Sequence, residues 1–148
     1  MLEKRVIPCL LLHKGGLYKT QNFKKPTYIG DPINAIKIFN EKEVDELMFL
    51  DIDASVENKE PNYKMIEDIA SECFMPLCYG GGVKNIEQMK KIYALGVEKV
   101  SISSQAVINP KLIKEASNIF GNQSELKIGG SSFSNNTVQG AKVFLGLG

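Results

Sequence analysis

The chain lacks several things at once, and each absence removes a class of function. Its 148 residues hold three cysteines, Cys9, Cys73 and Cys78, with no C-x-x-C spacing. Neither a disulfide framework nor a zinc knuckle is indicated, and a reducing compartment is expected. His13 is the only histidine, without a set of Cys or acidic ligands beside it, so it reads as a loop residue; no metal and no cofactor are expected. After Met1-Leu2-Glu3-Lys4-Arg5 the apolar run Val6 to Leu12 is too short for a membrane span or a complete signal peptide, which predicts a cytoplasmic protein. A formal charge of +1 gives no global case for nucleic acid or a membrane surface as partner. One absence is local. No acidic residue lies between Glu3 and Asp31, while Lys14, Lys19, Lys24 and Lys25 do, so this segment reads as a solvated basic loop.

What is present fits a soluble globular domain, with 43% apolar and 24% charged residues. Val6 to Leu12, Leu47 to Leu50, Val97 to Ile102 and the shorter Pro76-Leu77-Cys78-Tyr79 are apolar runs of the kind that form strands buried on both faces. Helical stripes separate them. Asp31-Pro32 opens the first, which runs through Ile33, Ile36, Ile38 and Phe39 to about Val44. Tyr63, Ile66, Ile69, Ala70 and Cys73 make the second. Asn85 caps a third, stopped by Gly96, and Asn109-Pro110 opens a fourth, stopped by Gly121. Four β-α repeats predict parallel strands with right-handed crossovers, in a doubly wound sheet or a barrel. Both architectures gather ligands at the carboxyl ends of the strands, here the segments 11–30, 51–62, 80–84 and 103–109. Residues 125–148 change character, with five glycines and a polar Ser131–Asn136 stretch. Leu126 to Ile128 and Val143 to Leu147 could be short strands there, but no helical stripe follows. The division expected is a four-unit region, 1–124, and an irregular tail, 125–148, foreign to the fold.

Four groups of residues could carry chemistry. Gly80-Gly81-Gly82 ends a strand just before the Asn85 helix, where bare backbone can approach an anion, although a tight turn needs glycine too. Ser103-Ser104 ends the next strand and could complete a phosphate cradle with Gly81 and Gly82 or form a plain polar turn. Asp51 and Asp53 could act as acid or base, or cap a helix. Counting in twos puts Arg5, Ile7, Cys9 and Leu11 on one side of the first strand, Glu46, Met48 and Leu50 on one side of the second, and Lys99, Ser101 and Ser103 on one side of the fourth. Arg5, Glu46 and Lys99 thus stand near the strand starts, where they either pair in an ion ring or reach outward to solvent.

Lys4-Arg5-Val6-Ile7-Pro8-Cys9-Leu10, Gly30-Asp31-Pro32, Asp45 to Ile52, Gly80-Gly81-Gly82-Val83, Gly96 to Ile102 and Asn109-Pro110 resemble, in order and spacing, the cyclase subunit of imidazole glycerol phosphate synthase (HisF) over residues 1–124. That resemblance implies the first four βα units of a (β/α)8 barrel. It implies a HisH-like glutaminase partner at the amino-terminal face, and ammonia crossing the interior to a site that cyclises a phosphorylated ribulosyl carboxamide nucleotide. It also assigns roles: Arg5, Glu46 and Lys99 to the ammonia gate, Lys19 and Asp51 to catalysis, and Gly82, Ser103 and Ser104 to a substrate phosphate. The family has Asn-Thr where this chain has Ser103-Ser104. It has a catalytic Asp where this chain has Leu11, and losing such a group typically costs about 10²–10⁴-fold in rate.

A closed barrel of this kind takes about 250 residues, and the family's other catalytic Asp and second phosphate site fall beyond Ser124. Three expectations follow. The chain is a weakly active cyclase-type lyase of histidine biosynthesis. Alternatively, it resembles the variant associated with surface-polysaccharide synthesis, also apolar at the Leu11 position, and delivers ammonia for sugar amidation. As a third, it is a truncated or frameshifted half-barrel without activity, able to self-associate through open barrel edges.

Overall fold

The computed structural model describes residues 4–21, 24–120, 127–128 and 143–146. Along the chain lie β1 (Cys9–His13), β2 (Gly16–Gln21), β3 (Lys24–Gly30), α1 (Pro32–Glu41), β4 (Leu47–Asp51), α2 (Ile52–Val56), α3 (Tyr63–Glu72), β5 (Leu77–Gly80), α4 (Ile86–Ala94), β6 (Lys99–Ile102), α5 (Ser104–Ile108), α6 (Lys111–Phe120), β7 (Lys127–Ile128) and β8 (Val143–Gly146). They form one sheet in the order β3-β2-β1-β4-β5-β6-β8-β7. The four strands of the repeat, β1, β4, β5 and β6, are neighbours and parallel. Among the described residues no helix is long and apolar enough to cross a membrane.

Local sequence sets the helix starts. Asp31 accepts from the Asn34 amide at 3.1 Å and is followed by Pro32, which needs no amide partner at that position. Asn62 caps α3 through the Met65 amide at 3.1 Å. Asn85 caps α4 through the Gln88 amide at 2.9 Å, and the Gln88 side chain accepts in return from the Lys84 amide at 2.7 Å. The first helix ends at Glu41, short of Val44, because Glu43 turns left-handed at φ 52°.

Period-two alternation then divides the parallel strands into two faces. Leu12, Leu47, Phe49, Leu77, Tyr79, Val100 and Ile102 turn toward the helices and pack with Ile36, Ile66, Ile69, Met89, Ile92, Leu112 and Ala116. The opposite face is built in rows by the register. Cys9, Met48, Cys78 and Lys99 form one row across β1, β4, β5 and β6, and Leu11, Leu50, Gly80 and Ser101 form the next.

Two features differ from the sequence expectation. The basic segment after β1 is a hairpin, not a loop: His13 pairs with Gly16 across a two-residue turn with both residues left-handed, Lys14 at φ 49° and Gly15 at φ 78°. That is the geometry a tight hairpin turn needs, but its usual Asn-Gly or Asp-Gly signature is absent. The first strand starts at Cys9, not Val6, because Pro8 has no amide to give the ladder, although its carbonyl still accepts from Met48 at 3.0 Å. The two short strands that the sequence allows after residue 124 are both present, β8 antiparallel to β6 and β7 antiparallel to β8; the Ser131–Asn136 stretch lies outside the described residues.

Removing a packed side chain from the helix–sheet layer tests this division. Ile92→Ala, at a site with 0% exposure, is expected to cost about 2–5 kcal/mol in urea unfolding. Phe74→Ser, at a ring 85% exposed, is expected to change stability by about 0.5 kcal/mol or less.

Candidate active site

Parallel strands put the ends of β1, β4, β5 and β6 on one side of the sheet, with the turns that follow them. Asp51 closes β4 and caps α2: its Oδ1 accepts from the Asp53 amide at 3.0 Å and the Ala54 amide at 3.3 Å. Burial pushes the Asp51 carboxyl above the ordinary aspartate range despite those two bonds, and the Asp53 and Glu57 charges push the same way. Helix capping and a poised carboxyl are therefore properties of one residue here.

Asp53 reaches across to the β1–β2 turn. One oxygen lies 2.5 Å from His13 Nδ1, and the other accepts from the Lys14 amide at 2.7 Å. Burial alone would raise its carboxyl, but the Lys14 amide and the His13 ring outweigh that cost and hold it below the usual range. The His13 ring stands edge-on to Tyr18 at 4.8 Å, and Tyr18 to Tyr28 at 5.5 Å, so the clasp continues into the hairpin. His13 is the last residue of β1 and not a loop residue. The usable signal was its place two residues beyond Leu11, which puts it on the same side of β1. Beside this clasp an open cleft of about 190 Å³ is lined by Leu12, Lys14, Asp51, Asp53, Lys59 and Met65 among others.

The glycine turn packs directly on the same elements. Gly81 has φ 123°, and a Cβ there would collide with the Asp51 carbonyl oxygen. At Gly82, φ 71°, a Cβ would come within 2.8 Å of Ala54 Cβ and 3.0 Å of the Lys59 carbonyl. Close packing thus requires both glycines, whatever their amides bind. Tyr79 donates from its hydroxyl to the Gly81 carbonyl at 3.1 Å and fixes the turn from the helix side. Ser103 is half-buried and precedes α5 without capping it through its side chain. The Ser104 side chain lies outside the described residues. Lys19 is exposed on β2, opposite Thr27 of β3.

At the other end of the strands Glu46 is buried, with 2% exposure, and is held by two cations. Arg5 Nη2 donates to Oε2 at 3.2 Å, and Lys99 Nζ lies 3.0 Å from Oε1 and 3.2 Å from Oε2. Of the two arrangements left open by spacing, pairing is the one observed. Among the described residues no group of three or more His, Cys, Asp and Glu side chains is placed to hold a metal ion.

Residues 5–129 match the family model described as histidine biosynthesis protein. The chain is 61% identical over 124 residues to the "Putative imidazole glycerol phosphate synthase subunit hisF2" of Pseudomonas aeruginosa, covering 84% of this chain and 49% of that protein. It is 53% identical over 149 residues to the "Putative imidazole glycerol phosphate synthase subunit hisF3" of Vibrio vulnificus, covering 96% and 57%. It is 46% identical over 123 residues to the imidazole glycerol phosphate synthase subunit HisF of Methanococcus vannielii, covering 83% and 45%. The chain spans about half the length of the curated relatives it matches.

The two aspartates should act on stability with opposite signs. Asp53, held low, stabilises the fold above the ordinary aspartate range, and its contribution is lost as pH falls through its folded value. Asp51, held high, contributes at acid pH and loses that contribution as pH rises through its folded value. Asp53→Asn is expected to lower stability at neutral pH and flatten the acid limb of the stability curve. Asp51→Asn, which keeps a capping oxygen, should change neutral stability by about 1 kcal/mol or less. Gly81→Ala should cost about 1–3 kcal/mol or more. Urea midpoints across the acid range measure all three.

Proposed function

The chain belongs to the histidine biosynthesis protein family of (β/α)8 barrels, and from that premise we propose that it serves as the cyclase-type subunit of an imidazole glycerol phosphate synthase. In this reading residues 1–124 are a four-unit barrel region and 125–148 a separate segment. A glutaminase subunit docks at the amino-terminal face and supplies ammonia, and a phosphorylated ribulosyl carboxamide nucleotide is cyclised at the carboxyl face. The reaction is of the lyase type and takes place in the cytoplasm.

The observation that carries the reading is the buried Glu46 held between Arg5 and Lys99. Three charges at the starts of three strands are a poor way to gain stability, since desolvation offsets much of their attraction. A gate explains their retention, because it must exclude ions and water while a small neutral molecule passes. Beyond them the same face presents Met48, Cys78, Leu50 and Gly80, uncharged side chains between the ion cluster and the strand ends. Lys19, Asp51, Gly81, Gly82, Ser103 and Ser104 take the catalytic and phosphate-binding roles in this reading.

Leu11 favours a second acceptor. It lies in register with Leu50 on one side and Tyr18 on the other, and its side chain can neither give nor take a proton. A subunit with this residue could pass ammonia onward for sugar amidation in surface-polysaccharide synthesis.

Two assays separate these readings: conversion of the ribulosyl carboxamide nucleotide with ammonium chloride, and stimulation of a family glutaminase by the full chain. The main reading expects both, with conversion about 10²–10⁴-fold slower than in relatives bearing a carboxylate at the Leu11 position. Stimulation without conversion would favour delivery to another acceptor, and neither would sink both readings. Glu46→Ala is expected to remove glutamine-driven conversion while retaining the ammonium-driven rate.

A further inference from the structure

We propose that His13, oriented by Asp53, is the proton-transfer group of the carboxyl face, in the role that Leu11 cannot fill. The inference rests on the cyclase-type reading and adds a residue to it. His13 ends β1 on the same side of the strand as Cys9 and Leu11, one pleat nearer the site. Its side chain is 19% exposed, so it is reachable without being freely solvated.

The geometry fixes the tautomer. Asp53 is held below the ordinary aspartate range and is therefore a carboxylate at neutral pH, able only to accept. At 2.5 Å from Asp53 Oδ1, His13 Nδ1 must carry the hydrogen. In the neutral ring Nε2 is then the basic nitrogen. The second Asp53 oxygen is occupied by the Lys14 amide, which prevents the carboxylate from rotating away. Tyr18 limits the ring from the hairpin side. A carboxylate holding the far nitrogen of an imidazole in this way also stabilises the imidazolium that forms when Nε2 takes a proton.

The step this serves is addition of ammonia to the ketone carbon of the ribulosyl substrate. A nitrogen–carbon bond forms, and the carbonyl π pair moves to oxygen. The surplus proton on nitrogen passes to His13 Nε2. The imidazolium returns that proton to the departing oxygen, the nitrogen loses one more proton to it, and water leaves as the carbon–nitrogen double bond forms. Ammonia and ketone give imine and water, with the histidine restored. No oxidant or reductant enters, and Asp53 is a positioning residue that stays ionised throughout.

Because His13 is the only histidine of the chain, its imidazole nitrogen NMR signals need no assignment by mutation. At a pH where the ring is neutral, the wild-type chain should show a protonated Nδ1 and an unprotonated Nε2, and Asp53→Ala should revert to the Nε2-protonated form usual in solution. In the ammonium chloride assay, His13→Asn and His13→Gln should each lower kcat by about tenfold or more with KM within about threefold, while melting temperatures confirm that both variants fold. Retained kcat in both variants, or a neutral wild-type ring protonated at Nε2, would overturn the role of His13 and leave the cyclase reading standing. Absence of any conversion by the wild type would remove that reading and the dyad with it.

Discussion

Everything on the functional face depends on parallel pairing among β1, β4, β5 and β6. Parallel strands force each return through a crossover helix, and the helices then cover one face of the sheet. The register makes that geometry specific. A slip of one residue in β4 would turn Leu47 and Phe49 away from the helices and bring Met48 and Leu50 in their place, exchanging a buried apolar layer for a half-exposed one. The same slip would carry Glu46 out of reach of Lys99. Core packing and the ion cluster therefore specify one register independently.

The two ends of the uncovered face use charge differently. At the strand starts, one buried carboxylate is shared by Arg5 and Lys99, and the middle rows contain only Lys99 as a charged group. At the strand ends, Asp51 and Asp53 are separated by one residue yet pushed in opposite directions: one is buried over its own helix start, and the other is bound by His13 and Lys14. Two carboxyls with divergent affinities for a proton in one small region are what acid–base chemistry needs. The arrangement follows from α2 starting immediately after β4, which makes Asp51 the cap and leaves Asp53, two positions on, to reach the β1–β2 turn.

Four helices, α1, α3, α4 and α6, and the four parallel strands were legible because their signals are local, whereas the five-residue α2 and α5 are too short to show a stripe. Asp31-Pro32, Asn62, Asn85 and the apolar stripes carry their own physics, and strand faces follow from counting in twos. The hairpin was not legible. Its turn is Lys14-Gly15, whose first residue must be left-handed without the side chain that usually eases it, and its strands carry exposed lysines that read as loop. The ion cluster was half legible: alternation placed Arg5, Glu46 and Lys99 on one face, but only the register shows Glu46 buried between both cations. The clasp on His13 was hidden for a different reason. It joins residues 40 apart in sequence through a turn that sequence alone did not show.

That clasp bears on how a site can change without losing its frame. Leu11 and His13 lie on one face of β1, separated by roughly 7 Å of strand, so an ionisable group has a place nearer the mouth while the interior position is apolar. An isolated imidazole at a strand end would sample several orientations and both tautomers. Asp53 removes that freedom, and it can do so because Asp51 already fixes the start of α2 through two amides. The glycine turn packs from the far side: Gly81 and Gly82 let the end of β5 approach the Asp51 carbonyl and Ala54 so closely that α2 has little room to shift. Glycines that read as an anion cradle are thus also what keeps the Asp53 carboxylate in place.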